Sequence, residues 1–322
     1  MAAGGFCTNF VFVIFANHIP AIYRRLRWDE GGQVLVLAAV GMVGICGMAG
    51  FVIDVGSWYQ AHRKQQAIAD ASALAAGSDL PGNTALASSD ARTYATKNGG
   101  SPSSITFTST YMTNDTVRVE ATKTVPSTFL KVLGINQATV KASATVRAEN
   151  LQAAWGAAPF AVINTQPQLA GPGCPCYSVP TTLTLNKVGP GGFQILNIDG
   201  SRGGSGQSTL ADWILDGCGC KTSAPVWLYS DTGAKFNGQE VKSAMDDRIG
   251  DTLLFPVYDS TQGSGSNLQY HIIGFAAFNV TSYQFKGNSG TIDGSFVHVD
   301  WQGSGTSDTS NYFGATTSHL IG

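Results

Sequence analysis

Charged side chains are scarce in this sequence. Lys, Arg, Asp and Glu make up 12% of the 322 residues, and the formal net charge is −2. A protein that binds nucleic acid needs a concentrated positive field to hold the phosphate backbone, and neither such a field nor an acidic tail is present. The composition therefore excludes a role in nucleic-acid binding.

Three motifs of common enzyme classes are also missing. The sequence has no Gly-x-Ser-x-Gly, no Gly-x-Gly-x-x-Gly and no His-Glu-x-x-His. His271 and His298 occupy strand-like segments, and His298 and Asp300 would point to the same face of a strand. A catalytic or metal-binding pair is the alternative, but we predict structural polar groups, no catalytic residue, no cofactor and no metal. The acidic segment Asp246–Asp251 lacks the alternating ligand spacing of an EF-hand calcium loop.

One long stretch contains no charged residue at all. Val34–Ile53 is an uncharged run of twenty residues, preceded by three arginines within Arg24–Arg27 and ended by Asp54. A helix of this length spans roughly 30 Å, the thickness of the hydrocarbon core of a bilayer. A cleaved secretory signal is the alternative, but its apolar core is usually only ~7–15 residues long. We predict a single transmembrane helix, residues 33–54, with Gln33 and Asp54 at its boundaries.

The flanking charges predict the orientation of this helix. Retained Lys and Arg favour the cytoplasmic side, so the arginines before the run favour an amino terminus inside the cell. Arg63 and Lys64 on the other side make this preference modest. Residues 1–32 are then a cytoplasmic segment, and the bulk of the chain after Asp54 is extracytoplasmic.

Two further parts follow the predicted span. Residues 55–150 begin with an alanine-rich helix up to Gly77, continue with a helix over Thr84–Asn98 and then change to the two-residue alternation of strands, which indicates a small α/β module. Residues 151–322 hold most of the glycines, with several short apolar strands between glycine turns and two interrupting helices. This pattern predicts a mostly β outer domain, sandwich or barrel-like. The predicted fold class of the chain is α+β.

Three segments before residue 78 together resemble one family. They are Asp29–Leu37 with its Gly-Gln entry, Gly50–Gly56 with its Asp-Val-Gly exit, and the alanine-rich Gln65–Gly77. The combination resembles the amino-terminal region of TadE/TadG-like proteins of the Flp (tight adherence) pilus-assembly system. Thr124–Phe129 followed by Leu133–Ile135 resembles the family's small extracytoplasmic unit.

The resemblance implies a bacterial, single-pass cell-membrane protein without enzymatic activity that takes part in pilus assembly or surface adherence. Its implied partners are membrane lipid and other pilus-assembly proteins or pilins, and the small α/β module is implied to be pilin-like. One departure concerns processing. Pilin-like precursors often carry a glutamate five residues into the mature helix, and counting from Gln33 places Leu37 there. The sequence therefore favours an anchored accessory protein over a processed major pilin.

Two other functions stay open. A surface adhesin or binding module could share only the anchor and present a ligand, which the sequence does not identify, on an exposed face with Trp213, Trp227 and Trp301. A cell-envelope enzyme is the third alternative, and it would require a pocket that gathers His271, His298 and acidic groups.

Four cysteines of the predicted outer domain form two Cys-x-Cys pairs, Cys174 with Cys176 and Cys218 with Cys220. An extracytoplasmic location favours their oxidation, whereas structural zinc sites more often use Cys-x-x-Cys pairs. We predict structural disulfides, with a four-thiolate zinc site and free thiols as the alternatives. Bonds between the pairs would close loops of about 40 residues and stabilise the domain by a few kcal/mol.

Thiol labelling tests the oxidation of these four cysteines. In full-length protein with Cys7 and Cys46 replaced by alanine, we expect a maleimide reagent to modify none of the remaining cysteines until reductant and denaturant are added, because disulfide sulfurs do not react with it. Mass spectrometry before and after reduction gives the count. Ready modification of the native, unreduced protein would reject the prediction.

Overall fold

The computed structural model describes residues 32–185, 192–232, 235–286 and 289–321. The predicted cytoplasmic segment 1–32 lies outside the described residues except for Gly32. By its internal contacts the chain divides into two compact units, one with the residues up to Ala69 and Glu120–Ser143, the other with Asp70–Val119 and the residues from Ala144 onward. The sequence-based division at residue 150 stays a prediction, and strand β3, Gln137–Trp155, crosses that position without a break.

Helix α1 runs from Gly32–Gly77 as one element of 46 residues. The predicted span and the predicted alanine-rich helix are therefore continuous, which follows from the absence of proline and the high helix propensity of alanine. Within the described part of the chain, Val34–Gly77 is the one helix that is long and apolar enough to cross a membrane.

The first unit joins α1 to the middle of the chain. It contains the end of β2 (Thr116–Pro126), a 3₁₀ turn (Leu130–Leu133) and the beginning of β3. The 3₁₀ turn is short, because β2 extends through Pro126 and because Gly134, with a φ of +83°, ends the turn. Farther along α1, the Gln66 side chain donates a hydrogen bond to the Ser143 carbonyl over 3.2 Å.

The second unit begins with the end of α1 and with helix α2 (Thr84–Lys97), whose first backbone N–H groups are capped by the Asn83 side chain. Strand β1 (Ser104–Thr108) follows. The later elements are β4 (Val162–Ile163), α3 (Pro167–Ala170), β5 (Pro180–Leu185), β6 (Gly192–Leu196), α4 (Gln207–Asp216), β7 (Lys221–Ser223), β8 (Val226–Thr232), α5 (Gln239–Asp247), β9 (Thr252–Gln262), a 3₁₀ turn (Gly265–Asn267), β10 (Gln269–Lys286), β11 (Ser289–Val297), β12 (Val299–Asp300), β13 (Gly303–Thr306) and β14 (Ala315–Leu320).

The strands of the described residues form two seven-stranded sheets. The first has the order β1-β2-β3-β14-β12, with β7 and β13 also paired to β3; the second has the order β4-β9-β10-β11-β5, with β8 paired to β10 and β6 paired to β8. The C-terminal strand β14, absent from the sequence-based prediction, pairs antiparallel with β3 from Asn150 opposite Thr316 to Val146 opposite Leu320. A long helix followed by mostly β structure confirms the predicted α+β class.

One hydrophobic core fills the second unit. Leu151 and Ala154 of the first sheet and many residues of the second sheet belong to the same buried cluster. Aromatic rings dominate it, with Phe278 between Phe255 at 5.8 Å and Phe296 at 5.0 Å between ring centroids. Fully burying one such side chain contributes roughly 1.5–3 kcal/mol, so this cluster supplies the main stabilisation of the β-rich part.

The turn between β1 and β2 is organised by a buried carboxylate. Asp115 accepts hydrogen bonds from the backbone N–H groups of Thr110, Tyr111 and Met112 over 2.6–2.9 Å and from the Thr116 hydroxyl over 2.8 Å. Burial by itself would raise the pKa of Asp115, but the hydrogen bonds that favour the charged form outweigh it and leave the pKa below its usual value.

Replacing Asp115 by asparagine tests this turn. Asparagine cannot accept four hydrogen bonds in this geometry, so we expect the free energy of unfolding at pH 7 to fall by about 2 kcal/mol. The carboxylate's contribution is complete above its unfolded pKa of about 3.9 and is lost as the pH falls through the lower folded pKa, so the difference in free energy of unfolding between wild type and Asp115→Asn should narrow as the pH falls below about 4. Denaturant titrations of the detergent-solubilised chain give both values. Asp212→Asn, at an exposed helix position, is the matched control, and an equal loss there would contradict the assignment.

Candidate functional site

The Asp54 side chain connects helix α1 to the 3₁₀ turn of the first unit. Its Oδ1 accepts a hydrogen bond from the Thr128 N–H at 2.8 Å, and its Oδ2 accepts from Phe129 at 2.8 Å and from Leu130 at 2.7 Å. The first N–H groups of a helical turn have no partner within the turn, and here no side chain of the turn's own N-cap supplies one. A carboxylate from a distant part of the sequence caps them instead.

A glycine on the same face of α1 makes room for this turn. Gly50 precedes Asp54 by four residues, which is about one helical turn. A Cβ atom at Gly50 would lie 2.7 Å from Cβ and Cγ of Phe129, closer than side chains approach each other. Gly50, Asp54 and Thr128–Leu130 together form what we call the helix–turn junction. Its geometry gives a physical reason for both the Gly and the Asp of the Gly50–Gly56 segment.

The surface of α1 changes character at this junction. The apolar side chains from Val34 to Ile53 are largely exposed, with fractions such as 72% for Leu37 and 67% for Val52. Trp58 and Tyr59 follow within about one turn of Asp54. Amphipathic aromatic residues are enriched at the level of lipid headgroups, so their position suits the end of a membrane span.

Asp54 does not have the environment that its position in the sequence suggests. A carboxylate that follows a long apolar run is ordinarily solvated, and this one is not. Its side chain is 1% exposed, and three backbone N–H groups take the place of water. The assignment of Asp54 and Gln33 as membrane boundaries stays a prediction.

Gly50 and Asp54 lie in a part of the chain that matches a known protein family. Residues 32–79 match the family model for putative Flp pilus-assembly TadE/G-like proteins. The match confirms the resemblance over these residues, which we call the Tad segment, and connects the chain to Flp pilus assembly. Comparisons with curated proteins and with solved structures found no match.

The Tad segment contains one side of the helix–turn junction, whereas Thr128–Leu130 lie beyond it. Sequence reasoning noted the resemblance of Thr124–Phe129 to the family's small unit but did not connect it to Asp54. The available signal was an aspartate after twenty uncharged residues, at the predicted end of a membrane helix. Such a costly residue is expected to have a specific partner.

The cysteines of the second unit are linked within each Cys-x-Cys pair. The structure joins Cys174 to Cys176 and Cys218 to Cys220. Loops of about 40 residues, which bonds between the pairs would close, are therefore not formed, and each bond constrains only a local turn. Among the described residues, no three His, Cys, Asp or Glu side chains come together as metal ligands, so the zinc alternative has no ligand set there. The oxidation of the four cysteines itself stays a prediction.

The histidines singled out from the sequence lie in different environments. His271 Nδ1 is 2.9 Å from Asp259 Oδ1, and its ring centroid is 4.8 Å from that of Trp227. His298 Nε2 lies 3.5 Å from the Thr316 hydroxyl, and burial lowers the pKa of His298.

The acidic candidates also have separate structural partners. Asp300 accepts a hydrogen bond from the Ser318 N–H at 2.8 Å. Asp246 accepts one from the Tyr283 hydroxyl at 2.8 Å, and Asp251 pairs with Arg248 at 3.1 Å. These contacts hold the chain locally, and they do not assemble the pocket that the enzyme alternative requires.

The three tryptophans that the adhesin alternative places on an exposed face also lie in different environments. Trp213 is 7% exposed, which contradicts the surface position that the adhesin alternative requires. It lies on α4 in the main hydrophobic cluster, where its large apolar ring is buried. Trp301 donates its indole N–H to the Trp155 carbonyl at 2.8 Å, whereas Trp227 is 37% exposed beside His271.

The Asp54→Asn variant tests the helix–turn junction. Asparagine turns an N–H₂ group toward backbone donors, so at least one of the three hydrogen bonds is lost and the turn opens more often. We expect the amides of residues 128–130 to exchange with deuterium roughly tenfold faster.

Mass spectrometry of a peptide that covers the turn measures this exchange in the detergent-solubilised chain. Asp212→Asn serves as the control, because it removes a carboxylate from an exposed helix face. Unchanged exchange at residues 128–130 in the Asp54 variant would show that the carboxylate does not hold the turn.

Proposed function

We propose that this chain is a membrane-anchored, non-enzymatic component of Flp-type pilus assembly. In this proposal the first part of α1 crosses the cell membrane once, and the bulk of the chain after Asp54 lies outside the cytoplasm. The single observation that carries it is the match of residues 32–79 to the Tad family model over a helix that is both apolar and exposed up to Ile53. A long apolar helix surface without partners in the protein needs lipid around it.

The part of α1 beyond Asp54 is suited to contact other pilus-assembly proteins. The buried and the exposed residues of this part of the helix have different roles. Ala69, Ala73 and Ala76 are fully buried within the protein, which agrees with alanine as a packing residue. Tyr59 and Leu74 are 62% and 43% exposed. The partner surface that we propose therefore follows the exposed positions of the helix, and the buried alanines are used internally.

Site-specific photocrosslinking tests the assembly role. A photoreactive amino acid at Tyr59, Ala67 or Leu74, in cells that assemble Flp pili, should give adducts with a pilin or another pilus-assembly protein. The matched control places the same amino acid at Ser266, an exposed position in the 3₁₀ turn before β10, where we expect no such adduct. Absence of adducts at all three helix positions would remove the support for this role.

Fractionation of the same cells tests the anchor. The protein should stay with the membrane after alkaline extraction, and protease added to spheroplasts should remove the part beyond Asp54 while leaving a small membrane-protected fragment. A chain released by alkaline extraction would contradict the anchor, and a protected C-terminal bulk would reverse the orientation.

One observation favours the adhesin alternative. Trp227 is 37% exposed and its ring lies 4.8 Å from His271, whose Nδ1 contacts Asp259. An exposed aromatic ring beside polar groups is a common element of binding surfaces. If this surface binds a ligand, Trp227→Ala should abolish adherence of cells while leaving pilus assembly intact. Loss of assembly without loss of adherence would favour the first proposal.

A further inference from the structure

The 3₁₀ turn held by Asp54 exposes apolar side chains to an unusual degree. Val132 is 81% exposed, Leu133 74% and Ile135 45%. Lys131 is the charged residue among positions 129–135. Soluble proteins scatter single apolar residues over their surface, but neighbouring ones on a short turn usually mark a contact site. The backbone of this turn is fixed by hydrogen bonds to Asp54, so the exposure is built into the fold.

The apolar turn lies beside the apolar surface of α1. Phe129, the first residue of the stretch, packs against Gly50, which is four residues inside the uncharged run. Asp54, one turn farther along, binds the N–H groups at the beginning of the turn. The exposed side chains of the turn are thus attached to the helix where its lipid-facing surface is proposed to end.

We propose that residues Phe129–Ile135 form a second membrane-contacting element, in which Val132, Leu133 and Ile135 insert into the interfacial layer of the bilayer beside the transmembrane helix. The proposal rests on the proposed membrane anchor. The transfer of apolar side chains from water to the boundary between headgroups and acyl chains lowers the free energy, as it does for interfacial helices.

The charges of the first unit suit an anionic lipid surface. Its described residues carry two carboxylates, Asp54 and Glu120, of which Asp54 is already occupied by backbone N–H groups. Against these stand five cationic side chains, Arg63, Lys64, Lys123, Lys131 and Lys141. Lys131 lies within the turn itself, where its long apolar stem can follow the neighbouring side chains while its ammonium group reaches the lipid phosphates.

This contact would give the anchor two attachment points. A single helix can rotate about its axis and tilt freely in a bilayer, because its surroundings are apolar on all sides. A turn that enters the interface on one side of the helix, at a depth fixed by Gly50 and Asp54, restricts both motions. The exposed face of the α1 continuation would then keep a constant direction relative to the membrane.

Site-directed spin labelling of the full chain tests the proposal. Single cysteines at Leu133, at Val43 in the span and at Ser266 in the outer part are introduced in a chain with Cys7 and Cys46 replaced by alanine. The chain is reconstituted at one copy per nanodisc of phosphatidylcholine and phosphatidylglycerol. The accessibility of each label to two paramagnetic reagents is then measured. Oxygen concentrates in lipid and a neutral nickel chelate stays in water, so the ratio of the two accessibilities shows whether a label lies in lipid or in water.

We expect the oxygen-to-nickel accessibility ratio at Leu133 to be several-fold above that at Ser266 and below that at Val43. The Asp54→Asn change should lower the ratio at Leu133 and leave that at Val43 unchanged. A Leu133 label that behaves like Ser266 while Val43 stays in lipid would overturn the proposal and leave the anchor intact. A Val43 label in water would overturn the anchor itself.

Contact between the apolar turn and another protein chain would give a different result. If the apolar turn contacts a second copy of this chain, the Leu133 label should be exposed to nickel in single-copy nanodiscs and protected only at higher occupancy. That outcome would also overturn the lipid contact. Exclusion of nickel together with high oxygen accessibility at one copy per disc indicates lipid and supports the proposal. Exclusion of both reagents would indicate contact with protein and would overturn it.

Discussion

The packing of helix α1 against the turn at residues 128–133 depends on one buried charge. Asp54 is 1% exposed at the end of twenty uncharged residues, and a carboxylate in such a place is costly unless its oxygens find donors. Three backbone N–H groups of a turn more than seventy residues later supply them. The same bonds satisfy amides that the 3₁₀ turn cannot satisfy by itself. The carboxylate and the N–H groups of the turn thus supply each other's hydrogen-bond partners. These bonds fix the position of the turn on the helix.

Sequence patterns were sufficient for the regular elements near the amino terminus. An uncharged run, an alanine-rich continuation and the absence of proline predict a long helix, because these properties act locally. The alternation in residues 105–108 and 117–121 likewise locates β1 and the first half of β2. Strand β14 escaped prediction because its central residues, Thr316–His319, carry polar side chains, and its stability comes from pairing with β3. Pairing between distant segments leaves little trace in local composition.

The candidate site was predicted only in part for the same reason. The Tad segment is recognisable, and Asp54 stands out as the first charged residue after the uncharged run. Its partners are backbone N–H groups, which every residue except proline possesses, so no side-chain pattern identifies Thr128–Leu130 as the recipients. The cysteine pairs illustrate a related limit. Spacing shows that two pairs exist, but the bonds within each pair depend on how the local backbone turns.

The pairing of β14 with β3 sets an order in time for the maturation of this protein. Synthesis proceeds from the amino terminus, so residues 146–150 exist long before residues 316–320, their antiparallel neighbours. Until residues 316–320 are synthesised, β3 has an open edge there, and open edges invite pairing with other chains. A chain interrupted before residue 316 would retain helix α1 and most of the core yet expose this edge. The pairing of β14 therefore distinguishes, in physical terms, a chain synthesised past residue 320 from one that stops short of it.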